Sequence, residues 1–246
     1  MHFEKWQGCG NDFIVVEESE LARPLGPERV RALCDRRFGI GADGILVVGP
    51  PNGRRWPLAI HNADGSIAES CGNGSRCVAR HLLDRHGGDE CELATMGGVV
   101  RARRDGDRVG IELAAPRVLG EISVGTSNGT RVDVGNPHVV VFVEDPATED
   151  LPTLAAAWRR AAGDTNVGAA RVRSRNAIDL RVDERGAGET LACGTGACAA
   201  VAAAAARGLI ADEVSVGLPG GALLVRIGKD RYELWGPSER VFAGAV

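Results

Sequence analysis

Two cysteines in this 246-residue chain stand in nearly the same local sequence, CGNG at residues 71–74 and CGTG at 193–196. Each precedes a run that reads as a helix. The sulfur therefore sits where a helix start presents backbone N–H groups and about half a positive charge. That setting lowers a thiol's pKa from about 8.5 and offers a seat for an anion. One cysteine in such a place can equally be a small buried hydrophobe. Two at equivalent positions can move a proton from one face of a carbon to the other. Cys71 or Cys193, as thiolate, takes an α-proton, and the other, as thiol, returns one to the opposite face. If two halves of the molecule face each other across a cleft, the N–H groups of Gly72, Asn73, Gly194 and Thr195 surround a carboxylate between the sulfurs.

The elements that must position these residues repeat. Gly10-Asn11 returns as Gly135-Asn136, each leading into a Val-rich stretch, 125 positions apart. The CGxG turns are 122 apart, and Gly97-Gly98 returns as Gly220-Gly221 at 123. Three matches in the same order at nearly one offset indicate a duplicated domain rather than a solenoid. The expected halves are residues 1–115 and 116–239, with 240–246 left to pack on either, the first included. Strands are predicted at 13–16, 45–48, 139–143, 178–182 and 223–227. Helices are predicted at 75–86, 197–207, 26 or 27 to 37, and 154–162, the first two closed by Gly87-Gly88 and Gly208. Because short turns rather than regular crossover helices join the strands, each half is expected to be a mostly antiparallel sheet wrapped around a central apolar helix, an α+β fold.

Composition excludes other classes. Lys plus Arg is 29 and Asp plus Glu 33, spread along the chain, so no basic nucleic-acid surface is expected. Hydrophobic residues at 44% with 25% charged suit a globular core and exclude wholesale disorder. There is no 20-residue apolar segment, and the polar start MHFEKWQGCGNDF lacks an apolar signal core, so the expected location is the cytoplasm. Seven cysteines, an odd number without an export signal, argue for thiols rather than a disulfide framework. Cys9, Cys34, Cys77, Cys91 and Cys198 read as packing residues. No C-x-x-C or H-E-x-x-H is present, so no metal is expected. The only lysines, Lys5 and Lys229, lie outside glycine-rich motifs, leaving pyridoxal phosphate no evident anchor. Gly39, Gly41 and Gly44 spell G-x-G-x-x-G, but after a helix and before a strand, the reverse of a dinucleotide site.

The chain resembles the diaminopimelate epimerases. The resemblance rests on GNDF at 10–13, FGIGADG at 38–44, NADGS at 62–66, CGNG at 71–74, GNPH at 135–138, TNVG at 165–168, ERGAGET at 184–190 and CGTGA at 193–197. It implies two similar pseudo-symmetric domains, each a β-barrel-like sheet around a helix, with the active site in the cleft between them. It implies an isomerase that needs no cofactor and converts LL-2,6-diaminopimelate to the meso form, a step in lysine and peptidoglycan precursor biosynthesis. Cys71 and Cys193 are then the acid/base pair. Asn11, Asn62, Gly72, Asn73, Asn136, Asn166, Glu184, Arg185, Gly194 and Thr195 are the substrate contacts.

Physically, Arg185 can grip the far carboxylate in a fork, Glu184 can take the far ammonium, and Asn62, Asn136 and Asn166 supply uncharged partners. His138 either tunes Cys71 through a hydrogen bond or satisfies a buried turn. Gly44 stands where some members place a glutamine, so that contact is absent or made by backbone. The alternatives are a same-fold racemase of another amino acid, such as histidine or O-ureidoserine, and a thiol hydrolase using Cys71 with His138 or a non-catalytic binding module. A hydrolase has no use for the second cysteine. The expected partner is a small-molecule substrate, with no nucleic acid and no membrane, and a homodimer is compatible with all of this.

Overall fold

A computed structural model describes residues 1–246. The chain divides into two compact units, Met1–Ile111 with Gly236–Val246, and Glu112–Trp235. The first begins with β1 (His2–Gly8), β2 (Asn11–Glu17), α1 (Pro27–Cys34), β3 (Gly44–Val48), β4 (Arg55–Asn62) and β5 (Ile67–Ala68). It continues through α2 (Gly72–His86), β6 (Glu90–Thr95), β7 (Gly98–Asp105) and β8 (Arg108–Ala114), within which the chain passes to the second unit. There follow β9 (Arg117–Val124), β10 (Ser127–Asp133), β11 (Pro137–Phe142), α3 (Leu151–Ala162), β12 (Asn166–Ser174), β13 (Ala177–Glu184) and β14 (Gly188–Thr190). The last elements are α4 (Gly194–Ala206), β15 (Glu213–Leu218), β16 (Gly221–Ile227), β17 (Arg231–Pro237) and β18 (Glu239–Ala245), the last in the first unit.

Strand order is the same in both units. In the first it runs β18-β1-β2-β3-β4-β6-β7-β8, with β5 on β4. In the second it runs β9-β10-β11-β12-β13-β15-β16-β17, with β14 on β13. The duplicated motifs fall on matching elements: Asn11 opens β2 and Asn136 immediately precedes β11, the two CGxG segments cap and open α2 and α4, and the Gly-Gly pairs lie at the β6–β7 and β15–β16 turns.

Most pairs are antiparallel, as expected, but the helices are crossovers after all. β2 and β3 are parallel neighbours bridged by α1, and β4 and β6 by α2. β11 and β12 are parallel through α3, and β13 and β15 through α4. Parallel neighbours need a connection of a dozen or more residues, so each helix is the length of chain that returns to the starting end of the sheet.

One sheet face packs the shorter helix and the other the central one. Val30, Leu33 and Cys34 of α1 pack with Phe3, Ile14, Val16, Ile45 and Val47. Ala155 and Trp158 of α3 pack with Val139, Val141 and Val167. Trp158→Ala would cost about 3–5 kcal/mol by leaving a cavity. Side chains alternate along a strand, so the intervening residues face the central helices α2 and α4, each of which touches strands on several sides. α4 is buried continuously from Gly196 to Ala204, as its alanines allow. α2 is not the purely apolar helix expected: Arg76 and His81 are buried along it.

Helix ends differ from the sequence reading for local reasons. α2 and α4 begin three residues earlier than predicted, because the cysteines act as N-caps and draw the glycine-rich segments into the first turn. α3 begins at Leu151, where the Asp150 carboxylate accepts the Thr153 N–H and proline occupies the first turn. α1 stops at Cys34 rather than 37, since Asp35 accepts the N–H groups of Arg37 and Phe38 in a tight turn. No helix is long and apolar enough to cross a membrane.

Candidate active site

In the first unit Cys71 is an extended residue at the N-cap of α2, and its Sγ accepts the Gly74 N–H at 3.3 Å. A Cβ on Gly74 would sit 3.1 Å from Leu46, so glycine lets the helix start press against β3. Alternation places Asn11 on the α2 side of β2, where its Oδ1 accepts from Asn73 Nδ2 at 3.3 Å. Its own Nδ2 donates to Asp43 at 2.8 Å, and Arg76 donates to Asn73 Oδ1 at 2.9 Å. Asn62, at the end of β4, donates to Ser66 Oγ at 2.9 Å across a tight turn. Beneath Asn11, Asp12 pairs with Lys5 at 2.6 Å and with Arg36 at 2.6 Å. Burial alone would raise the Asp12 pKa, but these two cations hold its carboxyl well below the usual carboxylate range.

In the second unit Cys193 caps α4 in the same way, its Sγ accepting the Gly196 N–H at 3.3 Å. A Cβ on Gly196 would meet Val182 at 2.9 Å. Thr195 Oγ1 lies 3.5 Å from the sulfur and 3.1 Å from His138 Nε2. His138 is 2% exposed and also approaches Asn136 Oδ1 at 3.2 Å and Asn166 Nδ2 at 3.3 Å. Burial lowers its pKa to about 4, so the ring is neutral. Its bonds run to Thr195 and through it toward Cys193, which places this ring in the Cys193 network of its own unit.

Asn166 Oδ1 accepts the Arg185 backbone N–H at 2.8 Å. The Arg185 guanidinium stands half-exposed, 3.6 Å from Asp164. Glu184 accepts from Thr190 Oγ1 at 2.5 Å and adjoins the Cys193 sulfur. Residues 182 and 184 alternate onto the helix side of β13, which brings the Glu184 carboxylate to the thiol. Burial first, and then the Glu184 charge, push the Cys193 pKa well above the ordinary thiol value.

A family model for diaminopimelate epimerase matches residues 3–116 and 130–241. The chain belongs to the diaminopimelate epimerase family. Among its relatives, a diaminopimelate epimerase of Laribacter hongkongensis is 42% identical over 275 residues, covering 100% of this chain and 99% of that one. The diaminopimelate epimerase of Alkalilimnicola ehrlichii is 38% identical over 100% of this chain and 98% of its own. Solved structures share the fold at low identity. A phenazine biosynthesis protein of the PhzF family from Bacillus anthracis superposes with a TM-score of 0.78 at 13% identity, over 100% of this chain and 98% of its own. A hydroxyproline epimerase from Agrobacterium vitis gives 0.73 at 16% identity, over 99% and 91%.

Within this diaminopimelate epimerase family member, each unit gathers its own share of the sequence-identified residues. Asn11 and Asn73 meet near Cys71, and Asn62 at the end of β4 pairs with Gly44 at the start of β3. Asn136, His138, Asn166, Glu184 and Thr195 form one network around Cys193. At Gly44 a Cβ would land 2.5 Å from the His61 carbonyl oxygen, so the glutamine of some family members has no room here without backbone movement. Asp43, Arg76 and Thr190 escaped the sequence reading. Arg76 had a signal, three residues after Asn73 and so on the same helical face; Asp43 and Thr190 depend on strand register. The five other cysteines are all buried, and burial raises the Cys34 thiol to about 11 and those of Cys77 and Cys91 to about 12.

Proposed function

We propose that the chain epimerises LL-2,6-diaminopimelate to the meso form by two-base proton transfer, with Cys71 and Cys193 acting on opposite faces of one α-carbon. The observation that carries this reading is the matched pair of cysteine N-caps, each with its sulfur 3.3 Å from the N–H of the third helical residue. One thiolate removes the α-proton, the electron pair delocalises into the carboxylate, and the opposite thiol delivers a proton to the other face. The thiolate and thiol have then exchanged places, and no cofactor is called for. The N–H groups of Gly72, Asn73, Gly194 and Thr195 hold the carboxylate as its charge grows. Cys193, buried beside Glu184, carries the proton at rest. Glu184 receives the ammonium next to the reacting carbon. Arg185 takes the far carboxylate, with Asn11, Asn62, Asn136 and Asn166 completing the polar set. We place the reaction in the cytoplasm.

Solvent deuterium exchange at the α-carbon, across diaminopimelate, lysine and histidine, tests this reading. Arg185 is half-exposed without ligand; once the bound substrate covers it, a charge deprived of its partner costs about 3–5 kcal/mol, so kcat/KM for diaminopimelate is expected to exceed the others by at least about a hundredfold. Arg185→Ala should remove most of that preference. Values for diaminopimelate and histidine within about tenfold of each other would sink the substrate assignment.

A further inference from the structure

We propose that Arg76 and Asp43 are positioning residues that fix, through Asn73 and Asn11, which amide atoms face the substrate; the proposal rests on the substrate role assigned above to the two asparagines. Arg76 is wholly buried in the first turns of α2, and its guanidinium, a donor only, holds Asn73 Oδ1 at 2.9 Å. Asn73 must then turn its Nδ2 outward, and it reaches Asn11 Oδ1 at 3.3 Å. Asn11 in turn directs Nδ2 to Asp43 Oδ2, an acceptor only, at 2.8 Å. An amide between two neutral groups can flip at little cost. A chain of two amides with a donor-only group at one end and an acceptor-only group at the other has a single arrangement.

The acidic end is itself anchored. Arg36 donates to the other Asp43 oxygen at 2.7 Å, and the Asp12 backbone N–H donates to Asp43 Oδ2 at 3.1 Å. The polarity of both amides is settled by these bonds. The second unit has no such relay at the equivalent turn, where Thr195 replaces Asn73 and has no amide to orient.

The test uses Asp43→Asn, which replaces the acceptor-only end with a group of either polarity, and Arg76→Lys, which keeps the cation and loses the fork. KM for diaminopimelate should rise about tenfold in each with kcat within about threefold, the pattern of lost binding rather than lost chemistry. The side-chain amide resonances of Asn73 should move in Asp43→Asn, although residue 43 bonds only Asn11 of the pair. That readout needs no substrate. If diaminopimelate is not turned over and the Asn73 resonances still move, the functional reading fails and the relay stands. An Asp43→Asn protein with a lowered melting temperature, unmoved Asn73 resonances and an unchanged KM would overturn the proposal. Should Arg76→Lys fail to fold, Asp43→Asn decides alone.

Discussion

At Cys71 the third residue of the turn is an asparagine gripped by a buried cation; at Cys193 it is a threonine whose hydroxyl touches the sulfur. The backbone caps are alike, each sulfur taking one N–H at 3.3 Å. Around that shared geometry the surroundings diverge. Cys71 is partly open and its helix buries Arg76 and His81, whereas Cys193 is covered and its helix is nearly all alanine. Duplication therefore preserved the cap and let neighbouring side chains set each sulfur's electrostatics. Burial and the Glu184 carboxylate hold the Cys193 proton in place, whereas the Cys71 cap is only half-buried.

The strongest way to break the comparison is to remove either sulfur. Cys71→Ser and Cys193→Ser should each lower epimerisation by about 10²–10⁴-fold, the usual contribution of a positioned acid or base. Each should retain some one-sided exchange or elimination from a single stereoisomer, followed by deuterium incorporation. Full activity in either variant would dissolve the pair.

A smaller effect is expected at Thr195, whose hydrogen bond favours the Cys193 thiolate against burial and Glu184. Thr195→Val loses a hydrogen bond worth about 0.5–1.5 kcal/mol, so kcat should fall about three- to tenfold and the alkaline limb of its pH profile should move upward. Thr195→Ser should restore both. A Val variant with an unshifted profile would mean that the hydroxyl does not reach the thiolate.

The smallest effects separate the two units by pH. His81 of α2 lies 2.9 Å from both Glu4 and Glu17. Burial opposes its charge, but the hydrogen bonds that the ring donates to Glu17 and Glu4 outweigh it and raise its pKa above 6.5. Its contribution is complete below about pH 6.5 and is lost as pH climbs through the raised value. His138 runs the other way: burial lowers it to about 4, so its contribution is intact above about 6.5 and lost as pH falls toward 4. Urea midpoints between pH 4 and 9 should show His81→Gln flattening the alkaline side and His138→Gln the acid side. Equal slopes in both variants would contradict the assignment.

The duplication, both cysteine caps and the strand cores at 45–48 and 139–143 were legible in the sequence because glycine-bounded turns and β-branched runs act locally. The crossover role of the helices was not, since parallel pairing joins residues as distant as Phe13 and Gly44. The approach of Glu184 to the Cys193 thiol was not legible either, because only strand register decides which face of β13 its carboxylate takes. The pairing of Lys5 with Asp12 and the Gly41 carbonyl has no local signal, because it needs three separate segments to assemble. Arg185 read as a fork for a carboxylate, and in the structure its guanidinium rests near Asp164.

The outer strand of each unit follows the other unit's last strand in sequence, and this orders events on the ribosome. Every residue of the second unit lies between 112 and 235, an unbroken stretch that is complete once it has emerged. The first unit starts earlier and finishes later, because β1 gains its outer neighbour only when residues 239–245 appear. The second unit is thus complete in sequence before the first, although the first begins earlier in the chain. Until then β1 presents an open edge, the kind of template on which nascent chains stick to one another. A chain cut off near residue 235 would carry a finished second unit tethered to a first that cannot close.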